Sequence, residues 1–220
     1  MLDAIVEQRL RPGTHLPEEE LAAIYGATRR QIAKALQSLA TDELVELKAH
    51  RGAFVASPTW SEALEIMELR RVVEAHIVAT LAGSPARQKV VEEALAKGHL
   101  QQPHPGQDEA VRHSGRFHVV LADCAGNRQI TRLVRGLVAR SSLIVELYGN
   151  TTGLACWIEE HATILAAIAA GDSTAAVRAM ESHLGSLQAS LISDKPDGAR
   201  VSLSSALDVE PAGRRKGKPI

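Results

Sequence analysis

The sequence predicts a mainly α-helical protein in two parts: a small N-terminal head of three helices and a β-hairpin, and a larger bundle of six helices. Aromatic residues make up only 3% of the 220 residues, so Ala, Leu, Ile and Val must build the core. Ala and Leu favour helices, and apolar residues recur at helical spacing along most of the chain. Residues 44–56 differ, because two short apolar runs there flank a glycine-containing loop, which is typical of a hairpin.

The composition excludes several classes of protein. No run of about 18 apolar residues exists, so no membrane span is predicted, and the N-terminal stretch lacks the pattern of a signal peptide. Cys124 and Cys156 are the only two cysteines, too few for a disulfide framework or a zinc knuckle. We therefore expect a cytoplasmic protein. The net charge is −1, and residues 1–58 hold seven Lys/Arg and eight Asp/Glu, so any case for DNA binding depends on where the charges lie.

The elements of the head follow from its breakers and caps. Pro12-Gly13 ends a first helix, and Thr28 can cap a third one with Gln31 as its capping-box partner. The predicted helices cover residues 2 to about 10, 18–25 and 28–40, and the strands cover residues 44–47 and 53–56. Two helices joined by a tight glycine turn and followed by a hairpin form a winged helix-turn-helix.

In such a fold the second of the two turn-linked helices enters the major groove with its N-terminal end nearest the bases. Cations, hydroxyls and amides at that end suit phosphate and base-edge contacts. The candidate DNA-binding residues are Thr28, Arg29, Arg30, Gln31 and Lys34 on this helix, with Arg51 and Gly52 at the hairpin tip, where Lys48 and His50 add further contacts. The alternative is that these cations form an ordinary solvated helix face.

The chain divides into three predicted segments. The head covers residues 1–57, the helical bundle residues 60–192, and residues 193–220 form a mostly disordered tail because they contain few large apolar side chains. A basic run at residues 213–218 could touch phosphate. The predicted helices of the bundle are 60–82, 86–97, 107–124, 128–148, 154–170 and 172–192.

Three histidines in the bundle share one property: His118, His161 and His183 each lie on the apolar face of a different predicted helix. One such histidine is usually a hydrogen-bonded core residue, but three unpaired imidazoles are costly to bury. A shared divalent metal such as Zn or Ni would satisfy all three. A metal-free core stays the alternative, and the other six histidines are predicted to lie at the surface.

The head resembles the GntR family of regulators. The residues that carry this resemblance are Arg11-Pro12-Gly13, Leu16, Leu21-Ala22, Gly26, Arg29, Ala35-Leu36, Leu39, Leu44-Val45 and Arg51-Gly52-Ala53-Phe54-Val55. The resemblance implies that Arg29 begins the recognition helix and that Gly52 lets the wing approach DNA closely. Two positions depart from the family pattern, since Thr28 replaces a serine and Ala33 replaces a second recognition-helix arginine. We expect Arg30 or Lys34 to compensate for Ala33.

The bundle resembles the FCD ligand-binding domain of the FadR subfamily. The residues that carry this resemblance are Glu68-Leu69-Arg70-Arg71 with Glu74, Phe117-His118 with Ala125-Gly126-Asn127, Glu160-His161 with Ala167-Ile168 and Gly171-Asp172, and His183-Leu184. The resemblance implies a divalent metal held by His118, His161 and His183. An aspartate that often completes this set is Ser114 here, and water, His113 or a carboxylate of the bound effector could take its place.

The resemblance also implies a homodimer that binds two half-sites of an operator, and an effector that is a small organic acid or an acyl compound. An arginine can pair with such a carboxylate through two hydrogen bonds. Arg140, Arg71 and Arg135 are the candidates, with Arg140 preferred, and Ser114 is a further candidate effector contact. The alternative is that all three arginines lie at the surface or at a dimer face.

We therefore predict a ligand-responsive DNA-binding transcription regulator, with repression as the expected sign. Two other functions fit parts of the sequence. An open zinc site with three histidines can activate water for hydrolysis, but no H-E-x-x-H or G-x-S-x-G motif accompanies it. A protein-interaction adaptor that has lost DNA binding is the third hypothesis, which Ala33 keeps open.

Overall fold

The structure is a computed structural model. It describes residues 1–6, 9–96, 107–149 and 156–193, together with residues 203 and 207. The side chains at residues 3, 107–113, 156 and 158 lie outside this description. Several sequence predictions fall outside the described part of the chain, among them the phosphate contact by residues 213–218, the ligand role of His113 and the surface position of His99, His104 and His113.

The head contains three helices and a small antiparallel sheet. The helices are α1 (Leu2–Val6), α2 (Glu18–Tyr25) and α3 (Arg29–Thr41), and the strands are β1 (His15–Leu16), β2 (Val45–Lys48) and β3 (Gly52–Val55). β3 lies in the centre, with Leu16 opposite Ala53 on one side and Val45 opposite Val55 on the other. The predicted hairpin is confirmed. β1 was not predicted, because two residues are too few to show an alternating pattern.

The turn between α2 and α3 is set by local chemistry. Gly26 adopts a left-handed conformation, with φ of 59°, and caps α2; residues with a Cβ adopt this conformation at a cost. The side chain of Thr28 accepts a hydrogen bond from the backbone N–H of Gln31, and the Gln31 side chain accepts one from the backbone N–H of Thr28. The predicted capping box is confirmed, and it fixes the first turn of α3.

Beyond the head, the described residues up to 193 form α4 (Trp60–Gly83), α5 (Arg87–Ala96), α6 (Gln107–Cys124), α7 (Arg128–Tyr148), α8 (Cys156–Ala170) and α9 (Ser173–Ala189). α4 is the longest and packs against α9, α7, α8 and α6. It begins with a second capping box, between Thr59 and Glu62. The predicted fold class, mainly helical with a winged helix-turn-helix and a helical bundle, is confirmed, and no described helix is long and apolar enough to cross a membrane.

α7 belongs to both parts of the molecule. Its residues Leu137 and Val138 lie in the core of the bundle, whereas Ala139 and Leu143 lie in the core of the head. Where α6 also approaches, Gly115 allows close packing: a Cβ there would lie 3.1 Å from a methyl carbon of Val138, which would have to shift slightly. The head is therefore packed directly onto one face of a bundle helix.

Polar contacts supplement this packing. The Arg140 guanidinium on α7 pairs with Glu43, and Glu146 pairs with Arg11 at 3.3 Å. Near the end of α7, the Tyr148 hydroxyl donates to the carbonyl of Pro58 at 2.9 Å. These contacts join one bundle helix to the head and to the segment between the two parts.

Two residues from the far end of the chain also lie in the core of the head. Leu203 and Leu207 are 8% and 5% exposed, and they belong to the same apolar cluster as Ile5 and Leu36. The backbone N–H of Leu207 donates to the carbonyl of Leu203. These two leucine side chains bury apolar surface against the head. The rest of the predicted disordered tail, at residues 194–202, 204–206 and 208–220, lies outside the described part of the chain.

Candidate functional site

The structure brings the three predicted metal-ligating histidines together inside the bundle. His118 comes from α6, His161 from α8 and His183 from α9, and their side chains are between 0% and 2% exposed. The Nε2 atom of His183 lies 3.2 Å from the Nε2 atoms of both His161 and His118. The ligand atoms of all three lie within 4.8 Å of one another.

Two carboxylates fix the orientation of these rings. The Nδ1 atom of His118 contacts a carboxylate oxygen of Glu74, and Nδ1 of His183 lies 2.7 Å from a carboxylate oxygen of Glu160. A carboxylate can only accept, so each Nδ1 carries the proton. The Nε2 atoms of His118 and His183 are therefore left with lone pairs that face each other across the cluster.

Burial determines the charge of this cluster. Burial lowers the pKa of His118 to about 4, despite the neighbouring Glu74 carboxylate, so the imidazole is neutral near pH 7. Burial alone would raise the pKa of Glu74, but the Arg70 guanidinium and His118 hold it at about 2. The pKa of Glu160 is also lowered, because hydrogen bonds from His183 and Ser186 outweigh its partial burial. The site thus combines a neutral His118 imidazole with ionised carboxylates.

This arrangement fits a divalent metal. Neutral imidazole nitrogens with inward lone pairs repel one another at 3.2 Å unless a cation or a proton lies between them. Nitrogen ligands about 2.0–2.1 Å from a zinc ion lie roughly 3–3.4 Å from one another. Carboxylates that accept from the second ring nitrogen are usual behind metal-binding histidines. The cluster of His118, His161 and His183 could therefore hold a metal ion.

The ring of Phe117 supports the third imidazole. It stacks on His161 with the ring centroids 3.9 Å apart and the planes 12° from parallel. Phe117 is completely buried, so the stack restricts rotation of the His161 ring. Each of the three rings is therefore positioned by a different neighbour.

A small cavity opens beside His118. Its lining combines residues from five helices: Arg70 on α4, Ser114, Gly115 and His118 on α6, Val138, Ser141, Ser142 and Val145 on α7, Trp157 on α8 and Leu187 on α9. The volume of the cavity that is open to the centre of a water molecule is about 20 Å³. On this measure, one ordered water needs about 10–15 Å³. One or two small groups fit as the cavity stands.

Among the described residues that line this cavity, Arg70 is the one lysine or arginine, and none is an acid. It is 2% exposed, and its Nε donates to Glu74 at 2.7 Å. Its Nη2 is buried and makes no hydrogen bond within the described part of the protein. A buried guanidinium N–H without an acceptor is costly, so Arg70 has the capacity to bind one more anionic or polar group.

The other predicted effector residues lie in different places. Ser114 lines the cavity, one helical turn before His118. Arg71 instead donates to Gln188, Arg140 pairs with Glu43 of the head, and Arg135 pairs with Asp123 at 2.8 Å. The structure does not bring these three arginines to the histidine cluster, since each faces another partner.

The predicted DNA-binding residues of α3 lie at the surface. Arg29, Arg30 and Lys34 are exposed, and no ion pair within the described residues involves them. Thr28 and Gln31 are also exposed, but their side chains are engaged in the capping box. The first turn of α3 therefore presents cations to the solvent, while its hydroxyl and amide groups hold the backbone of that turn.

The hairpin tip carries the remaining candidates. Lys48 and Arg51 lie over the ring of Phe54, with the Lys48 ammonium 5.0 Å and the Arg51 guanidinium carbon 5.7 Å from the ring centroid. Gly52 has a φ of 86°, and a Cβ there would lie 3.1 Å from His15. A side chain at this position would therefore be strained twice, once by the backbone and once by the packed imidazole.

Sequence reasoning did not assign Arg70, Glu74 or Glu160 to the site. A signal for the first two was present: Arg70 and Glu74 follow Ala63 and Met67 on one apolar face of α4 at intervals of three and four residues. An Arg and a Glu four residues apart on an otherwise apolar stripe indicate a buried ion pair. Glu160 offered no such signal, since only the packing of α8 against α9 brings it to His183.

Comparisons with known proteins agree with this architecture. Residues 65–186 match the FCD domain, and residues 1–55 match the model described as bacterial regulatory proteins, gntR family. The Uxu operon transcriptional regulator of Escherichia coli (strain K12) is 26% identical over 86% of this chain and 83% of its own. The HTH-type transcriptional regulator LutR of Bacillus subtilis (strain 168) is 27% identical over 81% and 92%.

A solved structure supports the fold. The structure of E. coli McbR/YncC superposes with a TM-score of 0.73 over 86% of this chain and 92% of that one, at 18% identity. At this level of identity the likeness concerns the fold alone. It covers the head and the bundle together, because it spans most of both chains.

Proposed function

The chain belongs to the gntR family of bacterial regulatory proteins and carries an FCD domain, and from this premise we propose that it regulates transcription in response to a small organic acid. It binds an operator through α3 and the hairpin tip, as a homodimer, and the acid enters the bundle beside a metal held by three histidines. The family is one of transcription regulators, so the hydrolase interpretation is not supported.

The main support for the DNA-binding part of this proposal is the exposed N-terminal turn of α3. Arg29 and Arg30 project from a turn that the Thr28–Gln31 capping box already holds. Guanidinium groups there suit phosphate oxygens and the O6 and N7 acceptors of guanine. Ala33 offers no such contact, so Arg30 and Lys34 are proposed to supply what that position lacks.

The histidine cluster and its cavity support the sensing half. His118, His161 and His183 are the proposed ligands of a divalent metal, Zn or Ni being the first candidates because both accept imidazole nitrogen. When bound, the metal supplies a Lewis acid that a carboxylate can coordinate. Glu74 and Glu160 hold the protons of His118 and His183 on Nδ1, and they keep both Nε2 atoms available.

α7 is the proposed route between the two sites. Val138, Ser141 and Val145 line the cavity on one face of this helix, while Ala139 and Leu143 lie in the core of the head on another. The cavity holds only one or two small groups as it stands. A ligand larger than that must displace a wall, and a shift of α7 moves the head with it. Ligand binding would then favour one placement of the two heads over another.

The DNA-binding proposal is tested with promoter fragments from the protein's own genomic neighbourhood. Wild type should bind one fragment with an affinity that falls steeply with salt, and Arg29→Ala should weaken binding by about 1–3 kcal/mol. Lys89→Ala removes an exposed cation from α5 and should leave DNA affinity unchanged. A protein that binds no fragment, or binds without salt dependence, would instead be the interaction adaptor.

The metal proposal is tested separately. Purified protein is stripped with a chelator, reloaded with Zn²⁺ or Ni²⁺ and analysed for bound metal per chain. Wild type should retain one metal, and His161→Ala should lose it, because only two imidazoles then remain. His76→Ala, which removes an exposed histidine of α4, is the matched control and should retain the metal. Equal retention by His161→Ala and wild type would overturn the assignment.

A further inference from the structure

A second cavity lies between the head and the bundle. Its volume is about 450 Å³, which is within the range of sites that bind small molecules. The head supplies Leu2 of α1 together with Asp42 and Leu44, which follow α3. None of its described lining residues also lines the small cavity beside His118. We call it the arginine cavity, because the first half of α7 supplies three of its lining residues, Arg128, Arg132 and Arg135.

We propose that the arginine cavity binds the phosphate monoester of a small hydroxylated compound, and that the bound ester couples the placement of the head to the bundle. Arg128 and Arg132 hold the phosphate, and Asp42 accepts hydrogen bonds from the hydroxyls. The binding part of this inference stands without the proposed function, whereas the effect on DNA affinity rests on it.

The first support is a pair of arginines without partners. Arg128 and Arg132 are exposed, and neither side chain forms an ion pair or a hydrogen bond within the described residues. Arg135 differs, because Asp123 accepts hydrogen bonds from it at 2.8 and 3.2 Å. Like charges four residues apart on a helix destabilise it. An anion between Arg128 and Arg132 removes this repulsion, and phosphate oxygens match the fork of N–H donors on each guanidinium.

The second support is the opposite wall of the cavity. Asp42 lines it from the head, and no ion pair within the described residues joins its carboxylate to Arg128 or Arg132. The cavity therefore has cations on one wall and a hydrogen-bond acceptor on the other, with space between them. A phosphate monoester carries close to two negative charges at pH 7, which balance the two arginines, whereas a monocarboxylate balances only one. Hydroxyls on the rest of the ligand can donate to Asp42.

The position of the cavity separates it from the proposed DNA contacts. Asp42 directly follows the last residue of α3, whereas Arg29 begins that helix. The helix has 13 residues, and at 1.5 Å per residue its ends lie roughly 20 Å apart. Arg128 and Arg132 therefore lie near the end of α3 that is remote from the proposed contacts with bases. This position favours a small molecule over the DNA backbone as their partner.

The third support concerns the coupling. The walls of the cavity already belong to the contact between the two parts, since Glu43 follows Asp42 and pairs with Arg140 of α7. Glu43 has a φ of 57°, a left-handed conformation that a residue with a Cβ keeps only where its surroundings enforce it. A ligand that joins Asp42 to α7 adds to this contact. It therefore favours one placement of the head over others.

Isothermal titration calorimetry on chelator-treated protein tests the binding part. D-Glucose 6-phosphate and sn-glycerol 3-phosphate are the probes. D-Glucose and inorganic phosphate are the controls, because each lacks one of the two recognised features. At least one ester should bind at one site per chain, about tenfold or more tightly than inorganic phosphate, and D-glucose should not bind. Inorganic phosphate that binds as tightly as both esters, or no binding of either ester, would overturn the proposal.

Three variants assign the binding to named residues. The double variant Arg128→Gln with Arg132→Gln should weaken ester binding about tenfold or more. Asp42→Ala should weaken the ester several-fold without weakening inorganic phosphate, because the carboxylate serves only the hydroxyl end. Arg178→Gln, which removes an exposed arginine of α9, is the matched control and should bind as wild type. Equal ester affinity in the double variant and in Arg178→Gln would place the ester elsewhere and contradict the assignment.

The coupling is measured with a DNA fragment that the wild type binds. Saturating ester should change DNA affinity about fivefold or more, and the double variant should lose this response while binding DNA without ester as wild type does. Weaker binding of ester-free DNA by the double variant would assign these arginines to the duplex and overturn the proposal. Ester binding that leaves DNA affinity unchanged would overturn the coupling. A chain that binds ester but no DNA fragment would remove the proposed function and leave the arginine cavity as a binding site.

Discussion

The head and the bundle place their charges in opposite ways. Every buried polar or charged side chain of the described residues lies in the bundle: Arg70, Glu74, His118, Ser141, Ser142, His161 and His183. The core of the head is apolar throughout, and the cations of α3 are exposed. Burying a charged group costs free energy unless the group finds a partner. The polar site of the bundle therefore lowers the stability of the fold. The charges of the head stay exposed and can contact an external polyanion.

This difference indicates which part senses and which part binds. A buried polar cluster selects a small ligand because water is excluded and each hydrogen bond is directional. An exposed row of guanidinium and ammonium groups suits the long array of phosphates on a duplex, where affinity comes from many weak contacts. The following predictions test the contrast, beginning with the largest expected effect.

Removing a buried charge from the bundle should have the largest effect. Glu74→Gln leaves the Arg70 guanidinium without an anion in a buried place and should lower the free energy of unfolding by about 3–5 kcal/mol. Urea denaturation of chelator-treated protein measures the loss. The double variant Arg70→Met with Glu74→Leu should recover most of it, since apolar residues of similar size often replace a buried pair without loss. If Glu74→Gln unfolds within about 1 kcal/mol of wild type, the contrast between the head and the bundle is contradicted.

The apolar core of the head should respond to loss of volume instead. Leu207→Ala removes a side chain that is 5% exposed and should cost about 2 kcal/mol or more. Ile192→Ala, at a position that is 48% exposed, is the matched control and should change stability by less than about 0.5 kcal/mol. Equal effects of the two variants would mean that Leu207 does not pack in the head in solution.

The exposed cations of the head should matter little for folding. Arg29→Ala combined with Arg30→Ala should leave the free energy of unfolding within about 0.5 kcal/mol of wild type, because neither residue forms a described internal contact. The same double variant should bind DNA weakly, with a reduced salt dependence. Thermal denaturation alongside the DNA titration gives both values, and a marked loss of stability would show that these residues serve the fold.

The smallest effect is expected at the joint between the two parts. Hydrogen bonds from the side chain and backbone of Thr59 lower the pKa of Glu62. The folded state therefore favours the carboxylate, and its contribution is present above the unfolded pKa near 4.5 and is lost as the pH falls below it. Glu62→Gln should lower Tm by about 1–2 °C at pH 7. The difference should shrink as the pH falls through the lowered pKa of Glu62, and a difference that grows in acid would contradict this sign.

Much of the fold was predictable because its signals are local. α6 and α7 occupy the predicted ranges, since Gly126 and Asn127 separate them: Asn127 accepts hydrogen bonds from the backbone of Gln129 and Ile130 and caps α7. The Thr28–Gln31 capping box is likewise a relation between residues three positions apart. In contrast, β1 forms because it pairs with β3. The two residues His15–Leu16 contain no sequence pattern that predicts a strand.

The same distinction explains the result for the site. Helical phase placed His118, His161 and His183 on inward faces, and three inward faces of one bundle must meet near its axis. Which arginine faces the cavity could not be read in this way. Arg70 and Arg140 both border apolar stripes. Arg140 pairs with Glu43 only because the head packs against α7.

The position of Leu207 has a consequence for biosynthesis. The head is translated first, yet its core includes Ala139 and Leu143 of α7 and the leucines at 203 and 207. At about 5–20 residues per second, those leucines are added many seconds after residue 55. Part of the apolar surface of the nascent head therefore stays uncovered until residue 207 has been synthesised. A ribosome that stops early therefore releases no finished DNA-binding unit detached from its sensor.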